Sequence, residues 1–163
     1  MPVVGFERYV IADELQRLAQ RISDNIERNG QRASGKTQAS LEVVDDGDAV
    51  ALLGRKAFGT LERGVPPLGD KIRLRSFAGI LYRWAHDKGI SFEDDRERWS
   101  FAFAVAKKIK KDGSLLFQEK GRADVYSNEI PIAIENIARR LSEEMKLQIE
   151  STPLNHDINN RQV

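Results

Sequence analysis

Residues 30–37 read GQRASGKT, which fits G-x-x-x-x-G-K-[ST], the pattern of a phosphate-binding loop. In such a loop backbone amides cradle the phosphates, Lys36 would reach the β/γ oxygens and Thr37 would hold Mg²⁺. That chemistry needs a buried strand before the loop and a helix after it. Here the polar stretch SDNIERN leads straight into Gly30, at the end of an amphipathic segment. On the other side, TQASLEVVDDGD reaches a turn too soon for a useful helix. No later apolar strand ends in an Asp that could serve as the second Mg²⁺ ligand. The spacing therefore reads as a helix C-cap, a polar connector and entry to a strand.

The remaining candidate chemistry is thinner. His86 and His156 have no partner at metal-ligand spacing. Asp45, Asp46 and Asp48 lack the rest of a calcium loop and suit a hairpin turn. Glu93, Asp94, Asp95 and Glu97 could pair for acid–base work, but acids are expected at a helix start, where they complement the macrodipole. Lys107, Lys108, Lys110 and Lys111 cluster at a helix C-terminus, where positive charge is likewise favoured. They are also the candidate contacts to DNA phosphates, as are Lys71, Arg73 and Arg75. The chain has no cysteine, which removes disulfides, thiolate catalysis and Cys-based zinc sites. No catalytic, cofactor or metal residue is assigned on these patterns.

The elements that must position these residues are set by periodicity. Ile11, Leu15, Leu18, Ile22 and Ile26 predict a helix over 11–29, with Gly30 as its C-terminal stop. Residues 40–54 predict a β-hairpin around an Asp- and Gly-rich turn. Pro66 and Pro67 make 59–70 a loop. Phe77, Ile80, Leu81 and Trp84 predict a helix over 76–88, capped by Ser76 and ended by Gly89. Another is expected at 95–111, with Trp99, Phe103, Ala106 and Ile109 on one side and Gly113 at its end. Leu115–Phe117 and Ala123–Tyr126 are candidate short strands. The last helix, about 131–150, carries Pro131 in its first turn and an apolar face of Ile130, Ile134, Ile137, Leu141 and Met145. Both tryptophans sit on such faces and read as core, with an interface anchor as the second possibility.

With 163 residues, 31% of them charged, and a net charge of +1, the chain reads as one α+β domain over 1–152 and a polar tail over 153–163. The architecture expected is an antiparallel sheet or hairpins packed with amphipathic helices, the N- and C-terminal ones long. The balanced charge gives no global pull toward nucleic acid or membrane. The N-terminus lacks a secretory pattern, and no apolar run approaches the roughly 18–20 residues of a membrane span.

The order of the pieces is itself a signal. ASGKTQASLEV is followed by ALLGRKAFGTLERGVPP, ILYRWAHDKGI, FAFAVAKKIKKDGSLLFQ and GRADVYSNEI. This order resembles the tail-completion or head–tail joining virion proteins of tailed phages, in the form met in Bacteroidetes phages and prophages. Gly35, Ser40, Glu62, Gly64, Pro66, Pro67, Trp84, Lys88, Gly89, Lys108, Ile109, Gly113 and Ser114 carry it, across roughly residues 10–150. The resemblance implies a non-enzymatic structural subunit of a ring in the virion neck or upper tail, assembled in the bacterial cytoplasm. Its partners would be copies of itself, neighbouring connector and tail proteins and, non-specifically, packaged DNA. The loop residues Glu62, Arg63, Val65, Pro66, Pro67 and Leu68 are the candidate interface, because prolines reduce the ordering cost of docking. Two other classes remain open: a nucleic-acid-binding module using the basic helix end, and a nucleotide-binding protein using residues 30–37.

Overall fold

The structure, a computed structural model, describes residues 3–151; the polar tail, Pro153 and His156 lie outside the described residues. The fold is α+β. Helix α1 (Val3–Arg28) leads into a hairpin of β1 (Glu42–Asp45) and β2 (Val50–Leu53). Next come a helical turn α2 (Thr60–Arg63), helices α3 (Leu74–Asp87) and α4 (Asp95–Asp112), a second turn α5 (Leu115–Gln118) and the long α6 (Glu129–Ser151). No helix among the described residues is long and apolar enough to cross a membrane.

The helix ends obey local rules. Gly30 (φ +62°) closes α1: its N–H reaches Glu27 O, and the next N–H, from Gln31, reaches Ile26 O, both at 2.9 Å. Gly89 closes α3 in the same way, with Ile90 N–H donating to Ala85 O at 3.0 Å. Both are Schellman caps, which need a left-handed residue and so favour glycine. Asp94 caps α4 by accepting from Glu97 N–H at 2.7 Å. Ser76 caps nothing: α3 begins two residues earlier, with Arg73 at its cap position and no side-chain cap bond.

The hairpin is antiparallel, with Glu42 opposite Leu53 and Asp45 opposite Val50. Its acids organise the turn rather than a metal. Asp46 accepts from Asp48 and Ala49 N–H, and Asp45 accepts from Gly47 N–H. Those bonds from Ala49 and Asp48 hold the Asp46 carboxyl below its ordinary range. Arg8 of α1 ties the tip down through Asp45, at 2.7 Å, and Gly47 O.

Two cores form among the described residues. In the first, Leu18, Ile22 and Ile26 of α1 meet Val125 and Ala133, with Leu41, Leu52, Phe58 and Leu61 packed around them. In the second, α3 and α4 meet through Phe77, Ala78, Ala102 and Ala106, with Leu68, Ile72, Leu81 and Phe103 alongside. The small alanines let the two helices approach closely. That contact rotates α3 so that Ala78 and Ala85 are buried while Ile80 and Trp84 face outward, Trp84 with 39% of its surface exposed. Trp84 is therefore not a core residue. Trp99 is also partly exposed; its ring stacks on Tyr82 at 4.6 Å.

A polar seam joins α1 to α6. Arg21 bonds Glu129 at 3.0 Å and the buried Glu14 at 3.2 Å; Arg140 bonds Asp13 at 2.7 Å. Asn25 donates to Glu129 and to Val125 O. A buried carboxylate needs such partners. The seam also fixes the helices antiparallel, since the start of α6 meets the end of α1.

Candidate functional site

Three sequence segments distant from one another converge between the two cores. They are LERGVPP (61–67), DGSLLF (112–117) and KGRADVYS (120–127). Leu61 packs on the first core and Leu68 on the second, so the segment between them bridges the two.

Glu62 organises the junction. It is 3% exposed and points inward from α2. Its Oε1 accepts backbone N–H groups from Val125 (3.0 Å), Tyr126 (2.7 Å) and Ser127 (2.8 Å), and its Oε2 accepts the Ser127 hydroxyl. Burial pushes the Glu62 carboxyl up, but the hydrogen bonds from Ser127, Tyr126 and Val125 outweigh it and hold the pKa below the usual glutamate range. Next door, Arg122 N–H donates to Glu62 O at 2.8 Å, while the Arg122 side chain pairs with Asp124 at 2.5 Å.

The glycines of the junction are there for space. Gly64 has φ +71° and ψ −172°, a region essentially confined to glycine, and a Cβ on it would lie 2.4 Å from Phe117 N. Gly113 (φ +81°) would put a Cβ 2.9 Å from Val65 O. Across this close approach Ser114 N–H donates to Val65 O at 2.8 Å and Val65 N–H donates to Ser114 Oγ at 2.9 Å. These backbone pairings replace the strands expected at 115–117 and 123–126. Ser114 caps α5, and the N–H groups of 125–127 go to Glu62 rather than to a ladder.

The junction corrects the expected interface. Glu62 is buried and Val65 is hydrogen-bonded within the chain, whereas Arg63, Pro66 and Pro67 are exposed. Leu68 is half-buried against the second core. At the end of α4, Lys107, Lys108 and Lys111 are exposed, and Lys110 donates to Ile72 O at 2.7 Å.

Residues 30–37 lie in a helix–loop–strand order, opposite to that of a phosphate-binding loop. α1 precedes them, and a single 3-10 turn (Gln38–Ser40) separates them from β1. The loop does wall a cleft of about 410 Å³ against α3, lined by Lys36, Arg55, Ile80, Arg83 and Trp84 among others. No pairing in the sequence advertises this cleft: its two walls are some fifty residues apart.

Large apolar side chains also remain uncovered along α6. Ile130, Ile132, Ile134, Met145, Leu147 and Ile149 are all exposed, the last by 76%. The side of α6 that meets α1 is instead Ala133, Asn136, Ile137 and Arg140, so the expected face of Ile134 and Met145 turns away from the core. Among the described residues no group of three or more acids and histidines could hold a metal ion. Comparison with known proteins finds no matching family model, no matching curated protein and no matching solved structure.

Proposed function

We propose that this chain is a structural virion protein of a tailed phage, a subunit of an oligomeric ring in the head–tail connector, neck or upper tail. The observation that carries the proposal is the set of large apolar side chains on α6 that the described residues leave exposed. Exposed apolar patches rimmed by charge mark surfaces that bind protein. A second support is spatial. Glu62, Gly64, Gly113 and Ser114, which belong to the phage-like motifs, lie at one junction although they are spread over the chain. That junction holds Pro66 and Pro67 outward, where they would dock on a neighbouring subunit or an adjacent ring. The role is mechanical: subunits placed around the DNA channel join head to tail and prevent leakage. No catalysis is assigned to it.

A second reading, contact with packaged DNA, is favoured by Lys107, Lys108 and Lys111. Their side chains have no acidic partner among the described residues and share one helix end. Such contact would be sequence-independent and salt-dependent. Imaging of virions that carry a labelled copy tests the main reading. A ring-shaped signal at the head–tail junction is expected; absence of the protein from purified particles overturns it.

A further inference from the structure

The chain itself fixes both walls of the cleft against α3. α3 buries Ala78 and Ala85, which leaves Ile80, Arg83, Trp84 and Asp87, at i, i+3, i+4 and i+7, as the stripe that walls the cleft. The facing wall is the loop 31–38, and it is held at both ends. Gln31 Nε2 donates to Leu61 O at 2.7 Å, and Gln38 Nε2 donates to Ser23 O at 3.3 Å. Lys88 donates to Gly30 O and so fastens the end of α3 to the start of the loop.

The lining is basic around an open ring. Lys36, Arg55 and Arg83 come from three separate segments and are exposed there. Their side chains make no hydrogen bond or ion pair among the described residues. Arg32 is held by Glu27 at 2.5 Å, and Asp87 is the acid of the lining. Four bases thus face one acid in the cleft, although the whole chain has a net charge of only +1. A cleft lined by one sign of charge concentrates ions of the other. Trp84 is 39% exposed on this surface and, unlike Trp99, has no ring partner among the described residues. Ile80, 47% exposed, extends the apolar side.

We infer that the cleft takes up single-stranded nucleic acid, with a base laid on Trp84 and the phosphates on either side of it held by Lys36, Arg55 and Arg83. A strand brings a flat ring and a negative charge at every residue, which complements an open indole among unpaired cations. Stacking of this kind in a basic groove tolerates any sequence, because every base has a π-face. A duplex keeps its bases paired and stacked inside. The cleft, at about 410 Å³, is of small-molecule size and admits about one nucleotide of a single strand. An acidic peptide would meet the charges, but it brings a ring to Trp84 only through a particular sequence. A free nucleotide carries phosphate on one side of its sugar, whereas a strand carries it on both. The site is separate from the lysines at the end of α4, and the inference goes beyond the virion reading.

The test follows the anisotropy of a labelled oligothymidylate of about twelve nucleotides, within the usual range of site sizes, on the full-length chain. The strand is retained at low salt. The logarithm of its affinity falls against that of salt with a slope of about −2, as three phosphates on a single strand require. Arg55→Gln with Arg83→Gln brings the slope to about −0.7. Trp84→Leu keeps the slope and weakens retention about tenfold. Trp84→Phe restores most of it, which separates lost stacking from a folding defect. An abasic strand of the same length binds about tenfold more weakly and is indifferent to Trp84→Leu. Lys107→Ala with Lys108→Ala and Lys111→Ala leaves retention unchanged. The inference is overturned by no retention at protein concentrations on the order of 100 µM, the weak end of non-specific binding. It is equally overturned by cleft variants that bind like wild type, or by an abasic strand or a duplex bound as tightly as the thymidylate strand. Loss of retention in the Lys107 variant alone would move the contact to the end of α4. Displacement of the strand by polyglutamate of equal charge would assign the cleft to an acidic peptide, and displacement by millimolar ATP to a free nucleotide. The virion reading is tested on particles and stands or falls apart from these results.

Discussion

Glu62 and Ser127 are bonded twice across 65 residues: the backbone N–H of Ser127 donates to Oε1 at 2.8 Å, and its hydroxyl donates to Oε2. With the N–H groups of Val125 and Tyr126 on the same oxygen, one carboxylate holds the whole turn before α6. Glu62→Ala leaves these donors without an acceptor in a buried place. A loss of about 2–4 kcal/mol in denaturant unfolding is expected. A loss below about 0.5 kcal/mol would mean that water replaces the carboxylate at no cost.

The same carboxylate sets an acid limit. Its folded pKa is lowered, so the unfolded chain takes up the proton first as pH falls. The stabilisation is present in full above the ordinary glutamate range and is lost as pH drops through the folded value. Glu62→Gln should therefore be less stable than wild type at neutral pH, and the gap should narrow on acidification below that range. Parallel melts across pH check this; a gap that does not change with pH would remove the ionised carboxylate from the account.

Gly64→Ala tests the junction by steric means. The new methyl would sit 2.4 Å from Phe117 N on a backbone with φ +71°. Strain and overpacking together predict a loss of about 2–4 kcal/mol. Gly47→Ala, at φ +95° but in open space, is the control and should cost less. Equal losses at both positions would show that the close approach at Gly64 contributes nothing.

What could be read in the sequence divides by distance along the chain. Gly30 and Gly89 are legible because each cap is settled within five residues, and the run of acids marks the start of α4, though only the structure picks Asp94 over Asp95 as its cap. The hairpin was legible because Asp46 and Gly47 build their own turn. Glu62 reads in the sequence as a loop residue open to an interface, because its partners lie more than sixty residues away and no local pattern points to them. Short apolar runs such as Leu115–Phe117 carry no period that separates strand from helical turn, and Ser114 decided the matter by capping. Glu14 sits on the buried stripe of α1, where an apolar residue is expected; only the placement of Arg21 and Asn136 across the seam explains it. The faces of α3 and α6 show a deeper ambiguity. A helical apolar stripe looks the same whether the chain's own core or another molecule covers it, and Trp84 and Ile134 are on the side that the described residues leave exposed.

Trp84→Ala separates those two kinds of face. A buried tryptophan would cost about 3–5 kcal/mol. With its ring partly exposed on the cleft, the loss in monomer stability should be only about 1–2 kcal/mol. Lys36→Ala, on the same cleft, should leave the melting temperature unchanged, because Lys36 is exposed and makes no ion pair among the described residues. Millimolar ATP with Mg²⁺ should not raise the melting temperature, since only a ligand of the native state stabilises it. An ATP-specific rise abolished by Lys36→Ala would restore the phosphate-loop reading of 30–37.

The prolines of the bridge give the last test. Val65 must keep its bonds to Ser114 and Leu68 its packing on the second core, so neither is a free surface residue. Pro66 and Pro67 are exposed, and their rings lower the entropy of the unbound loop. Replacing both by Ser leaves the junction's hydrogen bonds in place and should cost about 1–2 kcal/mol of stability, from the two rings together. If the loop docks on a neighbouring subunit or ring, the same change removes apolar contact and raises the ordering cost of docking. Particles that carry the variant should then show filled heads without tails, or heads that leak DNA. Normal yields of infectious, DNA-retaining particles would leave the loop as a connector between the two cores.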